Sequence, residues 1–235
     1  MRRIALSVIL PMALAACGET NRDVIQRYTP QIDAVRAELK TMAGTLPAPG
    51  SALSGKTNDV DPKPVYDAAA GSFNTAFIPV EALDGAKPLY DLILPSELLN
   101  ALAWTGADNP MAESALEERN DSFGKAFETA LATPYVVLYR AAAYDPPRAV
   151  DDTTFEGGTL KLEAFVFARS GARQIATCSI EAASNQSVSY TYKKGEDPRA
   201  RLVAFAGSTL WSDALQTLSE CLTATTGGTF TLERT

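Results

Sequence analysis

Two runs of β-forming residues, TLKLEAFVF (159–167) and RQIATCSIEA (173–182), flank the dipeptide Ser170-Gly171. Both are rich in β-branched and aromatic residues, which favours strands, and the dipeptide is typical of a hairpin turn. Strand-like runs of the last hundred residues occupy 135–143, 159–167, 173–182, 188–193 and 229–233. This pattern predicts an antiparallel meander of about four to five strands.

Helical spacing of apolar residues appears around the strand-rich part. The predicted helices occupy 30–43, 89–103 with an internal start at Ser96, about 110–132, and 199–222. The run SFNTAFIPV (72–80) is ambiguous, because its proline demotes a strand to a sheet edge. Strand alternation presents one apolar face to these helices. The sequence therefore predicts an α+β fold with helices packed on one face of the sheet, plus an N-terminal helix.

Two cysteines fall on the apolar faces of two predicted elements. Cys178 shares its strand face with Ala176 and Ile180, and Cys221 lies three residues after Leu218 on the apolar side of the last helix. We expect a Cys178–Cys221 disulfide that clamps this helix across the sheet. The N-terminus, described next, predicts export to an oxidising compartment, where an even cysteine pair is typical of one bridge. Two separately buried thiols are the alternative.

The N-terminus, MRRIALSVILPMALAACG, has the layout of an export signal. Its apolar stretch, residues 4–16, would cover about 20 Å as a helix, short of a hydrocarbon core of about 30 Å. Leu14-Ala15-Ala16-Cys17 resembles the lipobox of bacterial lipoproteins. The resemblance implies cleavage before Cys17, acylation of its sulfur and amine, and export; an ordinary secretory signal is the alternative. In proteobacterial lipoproteins, an aspartate directly after the lipidated cysteine retains the protein in the inner membrane. This chain has Gly18 at that position, so the resemblance also implies an outer-membrane location, facing the periplasm.

Charge and composition restrict the function classes. The chain of 235 residues has a net charge of −7, and cleavage before Cys17 moves it to −9 by removing two arginines. This acid excess argues against nucleic acid as a partner. The sequence has no histidine, which excludes His-based triads and His-ligated zinc or haem.

The predicted domain organisation has three parts: a signal peptide (1–16), a lipidated segment (17–64) and a single globular α+β domain (65–235). The middle part contains a helical stripe followed by a loop rich in proline and glycine, residues 44–64, which we interpret as a linker. The stripe comprises Ile25, Tyr28, Ile32, Val35, Leu39 and Met42. It packs on its own domain or, alternatively, binds a partner.

The linker contains GSALSGKT (50–57), which satisfies the phosphate-loop pattern G-x-x-x-x-G-K-[ST]. A phosphate loop needs a strand before it and a helix after it, because the helix N-terminus and oriented N–H groups bind the anion. Proline-rich sequence stands on both sides here, so we expect no nucleotide partner and no cofactor.

Three carboxylates, Glu156, Glu163 and Glu181, are candidates for glycosidase-type chemistry. The favoured interpretation of Glu163 is a solvated sheet face with an ion pair to Arg173. Asp151 and Asp152 lack calcium-loop spacing and predict a polar turn, so we expect no metal site. An aromatic-basic cluster stacks on a sugar or peptide or, more simply, guards a sheet edge; it comprises Tyr190, Tyr192, Lys193 and Lys194.

The sequence thus predicts a lipid-anchored envelope protein that is not an enzyme. It would bind another envelope component through the sheet face or the N-terminal stripe. The alternative is a lipoprotein that binds a small molecule or glycan in a pocket between sheet and helices.

Overall fold

The computed structural model describes residues 19–86, 94–120, 122–184 and 195–232, and it has an α+β fold. The strands of this part are β1 (Gly55–Lys56), β2 (Val65–Asp67), β3 (Ser72–Phe73), β4 (Thr75–Pro79), β5 (Tyr135–Asp145), β6 (Arg148–Ala149), β7 (Phe155–Glu156), β8 (Thr159–Ala168), β9 (Arg173–Ala183) and β10 (Thr229–Thr231). The helices are α1 (Asn21–Ala43), a 3₁₀ helix (Val80–Asp84), α2 (Glu97–Trp104), α3 (Glu113–Leu116), α4 (Phe123–Ala132) and α5 (Pro198–Thr226).

Within the described residues, the main sheet has five strands in the order β1-β9-β8-β5-β4. Strands β5, β8 and β9 pair antiparallel in sequence order, and Ala168 pairs with Arg173 across the predicted hairpin. Gly171 takes a φ of +76° in that turn, a conformation that glycine adopts without steric cost. The α+β class is therefore confirmed. The sheet is mixed, because β4 joins β5 in parallel.

Helices cover both faces of the main sheet, so the prediction of helices on one face was wrong. On one face α5 packs Leu210, Ala214 and Leu218 against β8 and β9. On the other face α1, α2 and α4 cover β4, β5 and part of β8, whose Phe165 and Phe167 point to that side. Both parities of β8 are apolar over this stretch, which is the pattern of a strand buried on two faces.

Helix α1 begins at Asn21 rather than at Pro30, which lies inside the helix. Thr20 caps it: the Thr20 Oγ1 accepts a hydrogen bond from the Asp23 N–H at 3.2 Å, and the Asp23 carboxylate accepts one from the Thr20 N–H at 3.0 Å. The core-facing positions of the predicted stripe are buried in the domain, with Ile32 and Leu39 fully inaccessible. The stripe thus packs on its own domain.

Residues 44–64 are not a free linker. Strand β1 within this segment pairs antiparallel with β9, with Gly55 opposite Thr177. The Thr57 N–H donates to the Ile175 carbonyl at 2.9 Å, and Ala52 is buried in the same core as α1. The prolines and glycines therefore set turns in a segment that stays in contact with the sheet.

The remaining helix predictions are met in part. Ser96 caps α2 as expected, accepting from the Leu99 N–H at 3.1 Å. The predicted helix over 110–132 is instead two helices, α3 and α4. Between them the Asn120 side chain accepts hydrogen bonds from the Ser122 N–H and Oγ, a local turn that interrupts the helix.

Helix α5 is longer than predicted at both ends, from an Asp197 cap to Gly227 in the left-handed region. The predicted strand over 188–193 lies outside the described residues, as do residues 89–93 and the lipobox. Within the described ranges, none of the helices combines the length and the apolar character needed to cross a bilayer.

Candidate functional site

A cleft of about 420 Å³ lies between the outer strand β4 of the main sheet and helices α2 and α4. Its volume falls within the range of small-molecule sites, about 300 to 1,000 Å³. The lining residues come from three segments of the chain: Gly71, Phe73, Thr75, Ala76, Pro95, Ser96, Glu97, Leu98, Asn100, Thr129 and Thr133. We call this the β4–α2–α4 cleft.

The buried members of the lining are Thr75, Ala76 and Leu98. Thr75 and Ala76 belong to β4, which is buried throughout because it lies between the cores on the two sides of the sheet. Leu98 is on the inner side of α2 and is fully inaccessible. These residues join the cleft to the buried core of the fold.

The two helices bring polar side chains to the cleft at helical spacing. Glu97 and Asn100 are three residues apart on α2, and Thr129 and Thr133 are four apart on α4 and just after it, so each pair shares a helix side. The Thr133 hydroxyl donates to the Thr129 carbonyl at 2.9 Å, which leaves its oxygen free to accept. Among the described residues, the lining has one carboxylate, Glu97, and no lysine or arginine.

Phe73 lies at the edge of the cleft with 53% of its surface exposed. One side of its ring contacts Tyr66, at 4.9 Å between ring centroids. The Tyr66 hydroxyl donates to the Pro95 carbonyl at 2.8 Å, and burial raises the pKa of Tyr66 to about 12. A buried tyrosine thus positions both Phe73 and Pro95.

Glu163 lies at a second charged site, on the sheet face that also carries Phe165. Its Oε2 accepts from Arg140 Nε at 2.9 Å and from Arg140 Nη2 at 2.7 Å, while its Oε1 accepts from the N–H groups of Gly50 at 2.9 Å and Ala52 at 3.1 Å. The side chain is fully inaccessible. Arg140 Nη2 also donates to the Pro47 carbonyl at 2.5 Å. We call Arg140, Glu163 and residues 47–52 the sheet clasp.

The predicted ion pair of Glu163 with Arg173 was therefore wrong. The prediction placed Glu163 with Lys161 on a solvated face, and Lys161 does pair with the exposed Glu181 at 3.6 Å. Residues 47–52 cover that face at Glu163, which a linker interpretation did not anticipate. Because both oxygens of Glu163 are engaged by four donors, the carboxylate serves to hold the loop.

The GSALSGKT segment does not have the architecture of a phosphate loop. Its Gly55 and Lys56 form strand β1 where such a loop would begin a helix. The N–H groups of Gly50 and Ala52 bind the carboxylate of Glu163, and Lys56 Nζ pairs with Asp59 Oδ1 at 2.5 Å. The anion that these groups hold is an internal one.

The other carboxylate candidates are dispersed. Asp151 Oδ1 accepts from the N–H groups of Thr153 and Thr154, both at 2.7 Å, which makes the predicted polar turn. The Thr154 hydroxyl, together with the Thr153 hydroxyl and the two N–H groups, lowers the pKa of Asp151 by hydrogen bonding to its carboxylate. Asp152 pairs with Arg199 at 2.8 Å, and Glu156 lies in β7. Among the described residues, no three side chains of the ligating types are grouped as a metal site.

The structure joins Cys178 and Cys221 in a disulfide with a Cα–Cα distance of 6.0 Å. It links β9 to α5, as the parity of the two elements predicted, and Cys178 is fully buried. Cys17 and the cluster of residues 190–194 lie outside the described residues.

Both tryptophans pack against other aromatic rings. Trp211 is buried and contacts Tyr144, and the ring centroids of Trp104 and Phe123 are 4.8 Å apart.

Sequence reasoning missed the β4–α2–α4 cleft. Its lining combines segments near residues 71–76, 95–100 and 129–133, and no spacing within one segment reveals the other two. The one available signal was Asn100, a polar residue within the apolar helix that Ser96 begins.

Comparisons of the chain with protein-family models, with curated proteins and with solved structures find no match.

Proposed function

We propose that this protein is a lipid-anchored lipoprotein of the bacterial envelope that binds a target without transforming it, and that the β4–α2–α4 cleft is the binding site. The lipobox at residues 14–17 supports the anchor. Gly18 in place of an aspartate supports the outer membrane, facing the periplasm.

The start of the folded body supports a position close to the membrane. Two residues, Gly18 and Glu19, separate Cys17 from the Thr20 cap of α1. Three peptide units span at most about 11 Å, so an acylated Cys17 would hold the body against the lipid surface. The proline- and glycine-rich segment adds no reach, because β1 pairs with the sheet.

The cleft is the observation that carries the binding site. The sequence predicted the open sheet face or the N-terminal stripe as the partner surface, but helices cover both faces of the sheet and the stripe is buried within the domain. The large apolar side chains that the described residues leave exposed are Leu53, Phe73 and Val150, each on a different segment. Phe73 is the one among them that lines the cleft.

Binding without catalysis is supported by the state of the strongest catalytic candidate. Both Glu163 oxygens are bound by Arg140 and by two backbone N–H groups, and the side chain has no accessible surface. A general acid or nucleophile must reach its substrate, so Glu163 is unsuited to either role. The absence of histidine from the sequence removes the common proton shuttle.

The anchor is tested by replacing Cys17. We expect the wild-type protein in the membrane fraction, with a mass showing cleavage before Cys17 and attached acyl chains, and we expect Cys17→Ser to lose both. Gly18→Ala is the matched control and should stay acylated. A wild-type protein that retains Met1 or carries an unmodified Cys17 would contradict the anchor.

The binding site is tested by a photo-reactive phenylalanine analogue at position 73 in the native envelope. We expect a small-molecule adduct from this position and none from position 53, which is more exposed (85% against 53%) but lies outside the cleft. A protein adduct at position 73 would support the envelope-protein partner instead. Adducts formed only at position 53 would exclude the cleft.

A further inference from the structure

We infer that the β4–α2–α4 cleft takes a neutral, polyhydroxylated ring, that is, a short oligosaccharide. This inference rests on the proposed function, which makes the cleft the binding site. It follows from the charge, the hydrogen-bonding groups and the apolar surfaces of the lining.

The charge of the lining disfavours anions. Glu97 supplies a negative charge, and none of the lining residues that the structure describes is a lysine or an arginine. The N-terminus of α2 is a poor binding site for an anion. The Leu99 N–H already donates to the Ser96 hydroxyl, and the carboxylate of Glu97 in the first turn would repel a second negative charge. Phosphates and carboxylates would therefore meet a carboxylate without a compensating cation.

The polar groups of the lining match hydroxyl groups of a ligand. Asn100 offers an amide that both donates and accepts, and Glu97 accepts at two oxygens. The Thr129 hydroxyl both donates and accepts, whereas the Thr133 hydroxyl donates to the Thr129 carbonyl and offers a ligand its acceptor oxygen. Sugar hydroxyls also donate and accept. Because Glu97 and Asn100 stand one helical turn apart, they can bind neighbouring hydroxyls of one ring, while Thr129 and Thr133 line the cleft from α4.

Phe73 and Pro95 supply apolar surface for the faces of such a ring. The Phe73 ring is about half exposed and is supported on one side by Tyr66. Pro95 is exposed, and its carbonyl is held by the Tyr66 hydroxyl at 2.8 Å. A sugar ring has C–H faces and a hydroxylated edge, so this division of apolar and polar lining suits it.

A cationic amine is the competing ligand, since it could use Glu97 and the Phe73 face. It would leave the amide of Asn100 and the hydroxyl of Thr129 without ligand partners, and unpaired polar groups cost free energy on burial. The number and type of hydroxyl and amide groups therefore favour the sugar.

The test uses the full mature lipoprotein in a detergent without a sugar headgroup. The probes are chitotriose, maltotriose and cellotriose, with spermidine and inorganic phosphate as comparators, each titrated to about 10 mM by calorimetry and thermal melting. The variants are Phe73→Ala, Asn100→Ala and Glu97→Gln. Leu53→Ala and Glu220→Gln are matched controls, because both residues are exposed and lie outside the cleft lining.

We expect at least one trisaccharide to bind and to raise the melting temperature. Phe73→Ala and Asn100→Ala should weaken binding by at least about tenfold, and the controls should leave it unchanged. Glu97→Gln should retain sugar binding within about threefold, because its amide still donates and accepts, whereas an amine would lose its counter-charge. Failure of all three sugars to bind, or binding of phosphate alone, would overturn the inference.

Spermidine binding that Phe73→Ala abolishes would also overturn the sugar assignment, while it would leave the cleft as the binding site. Sugar binding that is unaffected by Phe73→Ala and Asn100→Ala would place the ligand elsewhere and overturn both statements about the cleft. Cys17 acylation is measured separately and is independent of each result.

Discussion

Arg140 of β5 and Glu163 of β8 stand directly opposite each other in the sheet register and form an ion pair of 2.7 Å. The Arg140 side chain is 11% exposed and that of Glu163 is inaccessible. Together they bind the carbonyl of Pro47 and the N–H groups of Gly50 and Ala52. A segment with the composition of a linker is therefore held on the sheet by a buried pair of charges.

Replacing Glu163 with alanine should strongly destabilise the fold. The change leaves Arg140 buried without its counter-charge and two backbone N–H groups without their acceptor, at a cost of about 3 to 5 kcal/mol of unfolding free energy. Urea denaturation measures the loss. Glu181→Ala is the matched control, because Glu181 is 78% exposed in its pair with Lys161, and we expect a change below about 0.5 kcal/mol.

Removing both charges should lower the unfolding free energy by less than the sum of the losses in the single variants Arg140→Met and Glu163→Leu. In the double variant Arg140→Met with Glu163→Leu, neither partner is left as an uncompensated buried charge. The double-mutant cycle measures the coupling free energy between the two positions. Additive losses would show that the pair is not a coupled unit.

The sheet clasp shows which parts of the fold the sequence could predict. The hairpin around Ser170-Gly171, the cap at Ser96 and the side of β9 that carries Cys178 follow from local patterns, and all three are confirmed. The burial of Glu163 could not be predicted from a local pattern, because the residues that cover it are more than one hundred positions away in the chain. The cleft was missed for the same reason, since separate segments make it.

The sequence of β8 already indicated that the face carrying Glu163 is partly buried. Phe165 and Phe167 are apolar residues of the same parity as Glu163, so the face assigned to solvent was already apolar over half its length. A face of that kind requires a cover, and Phe165 and Phe167 belong to the core cluster to which α1 contributes Ile32 and Leu39.

Removing the disulfide should lower the stability of the domain. Cys178 and Cys221 are 43 residues apart in the chain, and closing a loop of that size stabilises a fold by about 4 kcal/mol in the chain-entropy model. We expect the Cys178→Ala, Cys221→Ala double variant to unfold at a clearly lower urea concentration. Reductant should destabilise the wild type and leave the double variant unchanged.

Thiol titration provides an independent check on the same bond. Apart from any signal of Cys17, the native protein should show no reactive thiol, even after denaturation without reductant. Two titratable thiols under those conditions would contradict the disulfide.

Adding ATP should not change the melting temperature of the wild type or of Lys56→Ala. The N–H groups of Gly50 and Ala52 already bind the Glu163 carboxylate, and Lys56 pairs with Asp59. Thermal melting with and without nucleotide tests this expectation. A stabilisation by ATP that Lys56→Ala removes would mean that the segment binds phosphate after all.

Stability should fall in alkaline solution as Tyr66 ionises. Its folded-state pKa is raised by burial from 10.0 to about 12, so its contribution is fully present below pH 10 and is lost as the pH rises to about 12. The loss from this residue is on the order of 2 kcal/mol. Urea denaturation between pH 8 and pH 12 measures it.

Tyr66→Phe separates this effect from that of the other tyrosines. The variant loses the hydrogen bond to the Pro95 carbonyl, at a cost of about 1 kcal/mol near neutral pH, and it should show a smaller alkaline decline than the wild type. Burial also raises the pKa values of Tyr28, Tyr135 and Tyr139, so some decline should remain. Equal slopes in the two proteins would show that Tyr66 does not contribute.

A fragment that begins at residue 65, the boundary suggested by composition, should fail to fold. It lacks α1, whose Ile32, Leu39 and Met42 are buried against α2, α4 and the sheet. It also lacks the loop that covers Glu163 and strand β1 that pairs with β9. Circular dichroism and gel filtration of the fragment, with a chain starting at Glu19 as the control, measure the difference. Because loss of α1 exposes apolar surface worth several kcal/mol, we expect aggregation of the fragment, whereas a soluble and cooperatively unfolding fragment would show that residues 19–64 are an appendage.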